Sequence, residues 1–242
     1  MLGLSITAIG MRSIDECMEI FQTLAHLLKL EFLEIAIGSI CPVDFHYLSV
    51  PLILHNSCLY KEGMRLRLEI LNPRTWQPYS EFIANSDVRA VSIHPTLQRD
   101  CTKQELEKAL FKLQKTLNVP VYLEVMPSSE YWCSSLPTLV EYPLLLDVSH
   151  VLIWFQGNQS LTKETCLEIL NSYEVGEIHL SHNNGFSDAH DLIPSKVWFH
   201  NLIEPWSQKY FVTYESLPQV FYLYERLDKQ KTGKNKKIRE II

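Results

Sequence analysis

A parallel (β/α)8 barrel, the TIM-barrel class of α/β fold, is the architecture this sequence predicts, and three observations predict it. Eight short apolar runs rich in β-branched residues recur along the 242 residues, most of them separated by segments with helical periodicity. That alternation points to a parallel sheet, and barrels of this length commonly fold as a single domain. Ionisable residues close most of the runs, at the ends where a barrel gathers its functional groups. A doubly wound open sheet is the runner-up, but no glycine-rich phosphate fingerprint follows the first run.

The predicted strands are Leu2–Ala8, Phe32–Ile37, Pro51–His55, Val88–His94, Val119–Val125, Leu144–Val148, Gly176–Leu180 and Tyr210–Tyr214. Ser13 and Glu16 have capping-box spacing, so a helix is expected over Ser13–Lys29. Gly38–Val50, with Pro42 and His46, is poor in helix signals and reads as a loop. Within Met64–Ser86, Asn72-Pro73 breaks the pattern and only Trp76–Asn85 reads as helical. Thr102 and Glu105 form a second box opening Thr102–Leu117, which carries Leu106, Ala109, Leu110, Leu113 and Leu117 on one face. Thr162–Tyr173 and Leu217–Lys229 are two further expected helices. One barrel domain over residues 1–228 is then followed by a basic tail over 229–242. That tail (Lys229, Lys231, Lys234, Lys236, Lys237, Arg239) reads as a solvated end, with contact to an acidic partner as the alternative.

The 46% hydrophobic content suffices for a substantial core, and a formal charge of −6 excludes a surface that is basic overall. Cys17, Cys41, Cys58, Cys101, Cys133 and Cys166 contain no Cys-x-x-Cys pair, which predicts reduced thiols and not a thiolate zinc site. No signal peptide is expected at the N-terminus, and no apolar run approaches a membrane span. A cytoplasmic, soluble protein with no membrane partner is expected.

The segment Glu177-Ile-His-Leu-Ser-His-Asn-Asn-Gly-Phe-Ser-Asp-Ala-His190 carries the strongest chemical signal. It delivers His179, His182, Asp188 and His190, the imidazole and carboxylate types that bind zinc, manganese or iron. His55, His94, Glu124, Asp147, His150 and Glu215 close other predicted strands or follow them directly, so a barrel brings all of them to one mouth. Burying so many ionisable groups costs several kcal/mol each unless counter-charge is present, and divalent ions supply it. Six of the nine histidines belong to this set; His26, His46 and His200 do not, and no role falls to them. Each residue alone has a structural reading: Asp147 and His150 as a helix-entry pair, Glu215 as a cap for a helix near Leu217. Jointly they predict a metal site.

Leu146-Asp147-Val148-Ser149-His150 resembles the Leu-Asp-x-x-His motif of endonuclease IV. Asp188-Ala189-His190 resembles its Asp-x-His motif, and His55-Asn56-Ser57 the His loop after its third strand. The chain thus resembles the xylose-isomerase-like barrel superfamily, and within it endonuclease IV and its multinuclear relatives. The resemblance implies two or three divalent ions (zinc, manganese or iron) per chain. One would be held by His55, His94 and Glu124, and a second by Asp147, His179 and Glu215, with Glu124 bridging. A third would take His150, Asp188 and His190. His179-Leu-Ser-His182, Asp188-Ala-His190, Val197-Trp198 and Leu144–Val148 also resemble multinuclear iron enzymes that modify cysteine-containing peptides, which usually carry Asn in place of His150.

The leading expectation is a metal-dependent hydrolase of a phosphoester or similar small substrate, with Glu124, Glu215 and His182 as candidate catalytic groups. The alternatives are a sugar or sugar-phosphate isomerase or epimerase, an iron enzyme acting on a peptide, and a non-catalytic metal-binding barrel. The substrate is accordingly a small molecule or a peptide. DNA is not expected, because the loops after His55 and His94 offer only Lys61, Arg65, Arg99 and Lys103. Trp132, Trp154 and Phe155 either line a pocket or cap the barrel. Cys58 and Cys133 read as core fillers rather than nucleophiles, and Glu34 as a barrel-facing contact or half of a buried ion pair.

Overall fold

The computed structural model describes residues 1–10, 13–36 and 50–216. Its barrel strands are β1 (Leu2–Ser5), β2 (Phe32–Ile35), β3 (Leu52–His55), β6 (Val88–Ile93), β7 (Val121–Glu124), β8 (Leu144–Asp147), β9 (Val175–Leu180) and β10 (Phe211–Tyr214). They close in the order β1-β10-β9-β8-β7-β6-β3-β2, and every pair between them is parallel. The remaining two strands, β4 (Tyr60–Lys61) and β5 (Met64–Arg65), form an antiparallel hairpin outside the barrel. This is the α/β barrel that the alternating pattern predicts.

Six α-helices are described: α1 (Ile14–Leu28), α2 (Gln77–Ala84), α3 (Lys103–Leu117), α4 (Val148–Trp154), α5 (Gln159–Ser172) and α6 (Ile203–Ser207). Both capping boxes form, Ser13 with Glu16 and Thr102 with Glu105, satisfying backbone donors that a helix start leaves free. The α3 face of Leu106, Leu110, Leu113 and Leu117 is buried against the barrel, while Ala109 of the expected face is only partly covered.

Several boundaries differ from the sequence expectation. β1 stops at Ser5, whose hydroxyl accepts the Thr7 N–H and opens a 3-10 turn over Ile6–Ile9. α5 begins before Thr162, because the Asn158 side chain accepts the N–H groups of Ser160 and Leu161. β7 and β8 are joined with no α-helix, only a 3-10 turn at Leu136–Thr138. Trp154 and Phe155 stand at the end of α4 instead of a strand end, with the Trp154 indole donating to the Met126 carbonyl at 2.7 Å. The expected Gly38–Val50 loop lies almost wholly outside the described residues, as do the Leu217–Lys229 helix and the basic tail.

Strand alternation sorts the side chains into two cores. The larger fills the space between barrel and helices. The smaller consists of Phe32, Ile53 and Ala90, with Met1, Tyr122 and Phe211 packed on it. Two residues further along the same strands stand Glu34, His55, Ser92, Glu124 and Thr213, on the same side of the sheet. The barrel interior therefore has an apolar floor, a buried polar layer above it (Glu34, Ser92, Glu177, Thr213), and an ionisable mouth.

That floor is tight: a Cβ added at Gly176 would overlap the Tyr122 ring, and one at Gly3 the Phe32 ring. Gly176→Ala is expected to destabilise the fold by about 1–3 kcal/mol, the usual cost of overpacking. The midpoint of urea unfolding checks it, and an unchanged midpoint would contradict the packing described.

Candidate metal centre

Each residue of the mouth is placed by a definite backbone feature. His55 and Glu124 are the last residues of β3 and β7; His94 directly follows β6 and Glu215 directly follows β10. The Glu215 N–H still bonds to the Leu180 carbonyl at 3.0 Å, extending the ladder by one residue. Asp147 ends β8 and also caps α4: its Oδ1 accepts the Ser149 and His150 N–H groups at 2.7 and 2.9 Å. The helix-entry reading of this pair is therefore real, and it leaves Asp147 Oδ2 unused. Asp188 and His190 come from the loop after β9, whose base is closed by paired backbone bonds between His182 and Asp191.

The structure brings these groups within ligand distance of one another. His94 Nε2 lies 2.9 Å from Glu124 Oε2, and His55 Nε2 is 3.5 Å from the same oxygen. His179 Nδ1 lies 3.1 Å from Glu215 Oε2. Among the described residues, four trios offer atoms all within 4.8 Å of each other. They are His55/His94/Glu124, Asp147/His179/Glu215, Glu124/Asp147/His150 and Glu34/His55/His179. The expected third set, His150/Asp188/His190, is not one of them. Asp188 instead links the two rings in a chain, Oδ2 to His150 Nε2 at 3.2 Å and Oδ1 to His190 Nε2 at 3.6 Å.

The orientation of the buried imidazoles is informative. His150 Nδ1 is 2.7 Å from the Val125 carbonyl, which can only accept, so this nitrogen carries the hydrogen. His55 Nδ1 pairs with the Ser92 hydroxyl at 3.0 Å, and His179 Nε2 with Glu34 Oε2 at 2.8 Å. Each ring thus has one nitrogen held by the barrel wall or interior and the other turned to the carboxylates of the mouth. Buried atoms without a hydrogen-bond partner include Glu124 Oε2, Asp147 Oδ2, His150 Nε2, His179 Nδ1, His190 Nδ1 and Glu215 Oε2. All six are the atoms a metal would engage, and imidazole nitrogen with carboxylate oxygen is a donor set that suits zinc, manganese or iron. The cluster fits metal ions.

Its electrostatics say the same. Glu34, Glu124, Asp147, Glu177 and Glu215 are all buried, while no Lys or Arg is buried among the described residues. Burial pushes Asp147 and Glu177 up from the ordinary carboxylate range. Burial also opposes ionisation of Glu215, but the charge of the His179 ring 3.1 Å away outweighs it and holds that group at about 2. For His150, burial disfavours the charged ring, yet Asp147, Asp188 and Glu124 together raise it to about 10.

Two further buried acids carry weight here, Glu177, which the sequence analysis did not single out, and Glu34, which it expected as a barrel-facing contact or half of a buried ion pair. Glu177 was passed over, although its spacing of two from His179 places both on one strand face; its Oε1 accepts from the Thr213 hydroxyl at 2.8 Å. Glu34 proves to be the partner of His179. His182 stands apart from the cluster, beyond the end of β9 in an isolated bridge to Asp191. It pairs with Gln159 at 3.3 Å and lines a rim hollow of about 490 Å3 with Pro194, Lys196, Val197 and Trp198. Cys58 and Cys133 are fully buried, and burial raises both thiols, Cys133 to about 12, which fits core fillers.

The chain matches no protein-family model and no functionally characterised protein. Among the described residues, no helix is long and apolar enough to cross a membrane.

The metal-free protein should show a bounded window of stability. Glu215, depressed from 4.5 to about 2, contributes stability above pH 4.5 that is lost as pH falls through 2. His150, raised from 6.5 to about 10, contributes stability below pH 6.5 that is lost as pH rises through 10. Urea midpoints of chelator-treated protein are expected to be highest between these limits, and a flat profile from pH 3 to 10 would contradict the pairing.

Proposed function

We propose that this barrel is a metal-dependent enzyme with a two- or three-ion centre at its mouth, hydrolysing a phosphoester or a similar small substrate. The observation that carries the reading is the convergence of six partnerless ligand atoms from four strands or the segments that follow them on one buried cluster. A centre of this type matches the xylose-isomerase-like barrels that the Leu146–His150 and Asp188–His190 motifs resemble. Divalent ions held there would supply the charge needed to polarise a phosphoryl oxygen and to activate water near neutral pH.

Within this reading the residues take distinct tasks. His55, His94 and Glu124 would hold one ion, and Asp147, His179 and Glu215 another, with Glu124 also reaching towards His150. A third ion would use His150 with Asp188 or with Glu124 and Asp147. The number of donors favours hydrolysis over sugar isomerisation, which does not need a third ion. Exposure sets the direction of approach. Asp147 and His179 are 0% exposed, whereas the side chains of His94 and Asp188 are 38% and 36% exposed. Substrate would enter over His94 and Asp188, and His182 would serve as a substrate contact at the rim.

Protein purified without chelators or a nickel column is expected to contain two to three equivalents of zinc or manganese by plasma mass spectrometry. Stoichiometric iron would overturn the hydrolase reading in favour of oxidative chemistry, and failure to take up any metal would overturn the metal centre. Glu124→Gln is expected to lose metal and to lower phosphoesterase turnover about a thousandfold or more, matching several kcal/mol of lost charge stabilisation. His182→Ala should leave metal content unchanged and raise KM; lost metal in that variant would place His182 among the ligands.

A further inference from the structure

We propose that Glu34 is a positioning residue: from one layer beneath the centre it fixes the ring of His179 and determines which nitrogen faces the metal. This rests on the reading of the cluster as a metal centre. Glu34 and His179 are both 0% exposed, and Glu34 Oε2 lies 2.8 Å from His179 Nε2. A carboxylate oxygen accepts, so Nε2 carries a hydrogen, and once a cation beside Glu215 makes the ring neutral its lone pair stands at Nδ1. That atom faces Glu215 Oε2 at 3.1 Å and has no hydrogen-bond partner. Glu177 supports the same edge of the ring more weakly, with Oε1 3.4 Å from Nε2 and already accepting from Thr213.

The geometry also permits a rival arrangement, in which Glu34, His55 and His179 bind an ion of their own. It requires His179 to offer Nε2 and so to give up the Glu34 hydrogen bond. It also requires His55 to offer Nδ1, which pairs with Ser92 at 3.0 Å, when its Nε2 already faces His94 and Glu124 at 3.2 and 3.5 Å. A neutral imidazole has one lone pair, so an ion below and an ion above cannot both draw on the same ring. The lower position would therefore remove a ligand from each of two upper trios. Glu34 as hydrogen-bond acceptor keeps both intact, and a carboxylate behind a metal-bound imidazole fixes its tautomer and strengthens it as a donor.

The test uses the full chain loaded with zinc and labelled with nitrogen-15 in histidine, with His179 signals assigned by their loss in His179→Asn. Long-range proton–nitrogen correlation should show His179 protonated at Nε2 and zinc-shifted at Nδ1. Chelator competition should show zinc held about 10–100-fold more weakly by Glu34→Gln, which keeps an acceptor oxygen and the side-chain volume. A zinc shift at Nε2 would overturn the proposal in favour of the lower ion. Zinc affinity in Glu34→Gln equal to the parent's would overturn it as well. If Glu34→Gln does not fold, the spectrum of the parent protein decides alone. A parent protein that takes up no zinc overturns the metal centre itself, and this proposal with it.

Discussion

Five carboxylates sit buried in the interior and mouth of this barrel, and among the described residues no buried lysine or arginine accompanies them. In a medium of low dielectric an uncompensated carboxylate either takes up a proton or destabilises the fold. Among the described residues the buried groups able to carry compensating positive charge are imidazoles, which can also give up lone pairs. In the metal-free protein those rings serve as counter-ions, as the raised positions of His150 and His179 record. Cations at the mouth would relieve the rings of that task and return them to neutrality. Much of the rest of the architecture follows from holding these groups at fixed separations.

The support is layered. Phe32, Ile53 and Ala90 form a floor that fixes strand spacing, and the polar layer above it supplies Ser92 and Glu34 as hydrogen-bond partners for His55 and His179. Asp147 shows how economically the barrel uses one side chain. One oxygen secures the start of α4, which in turn carries His150, and the other is left for the mouth. Displacing Asp147 would therefore disturb two potential donors at once.

The barrel itself was legible because eight apolar runs with β-branched residues keep their period whatever the loops do. Strand ends were less so, since they depend on ladder register and on competing side-chain bonds such as that of Ser5. The hairpin at Tyr60–Arg65 escaped notice because two-residue strands carry no alternation. Its turn pair, Glu62-Gly63, both at positive φ, was the available sign. Histidines and acids at strand ends are visible in the sequence as a set, and their facing follows only where they lie within a strand. Counting in twos along β9 places Glu177 beside His179, whereas His182 lies past the end of the strand, where the count no longer applies. What no sequence rule gives is the ring orientation of each imidazole, which depends on acceptors arriving from distant strands.

The apolar floor has a kinetic meaning. With one end of the cylinder plugged by Phe32, Tyr122 and Phe211, the interior is a cup and not a channel. Under the proposed hydrolysis, reactant and product would share a single doorway, so a departing molecule would have to clear the rim before the next could be seated. Accumulating product would then compete with fresh substrate for that one entrance.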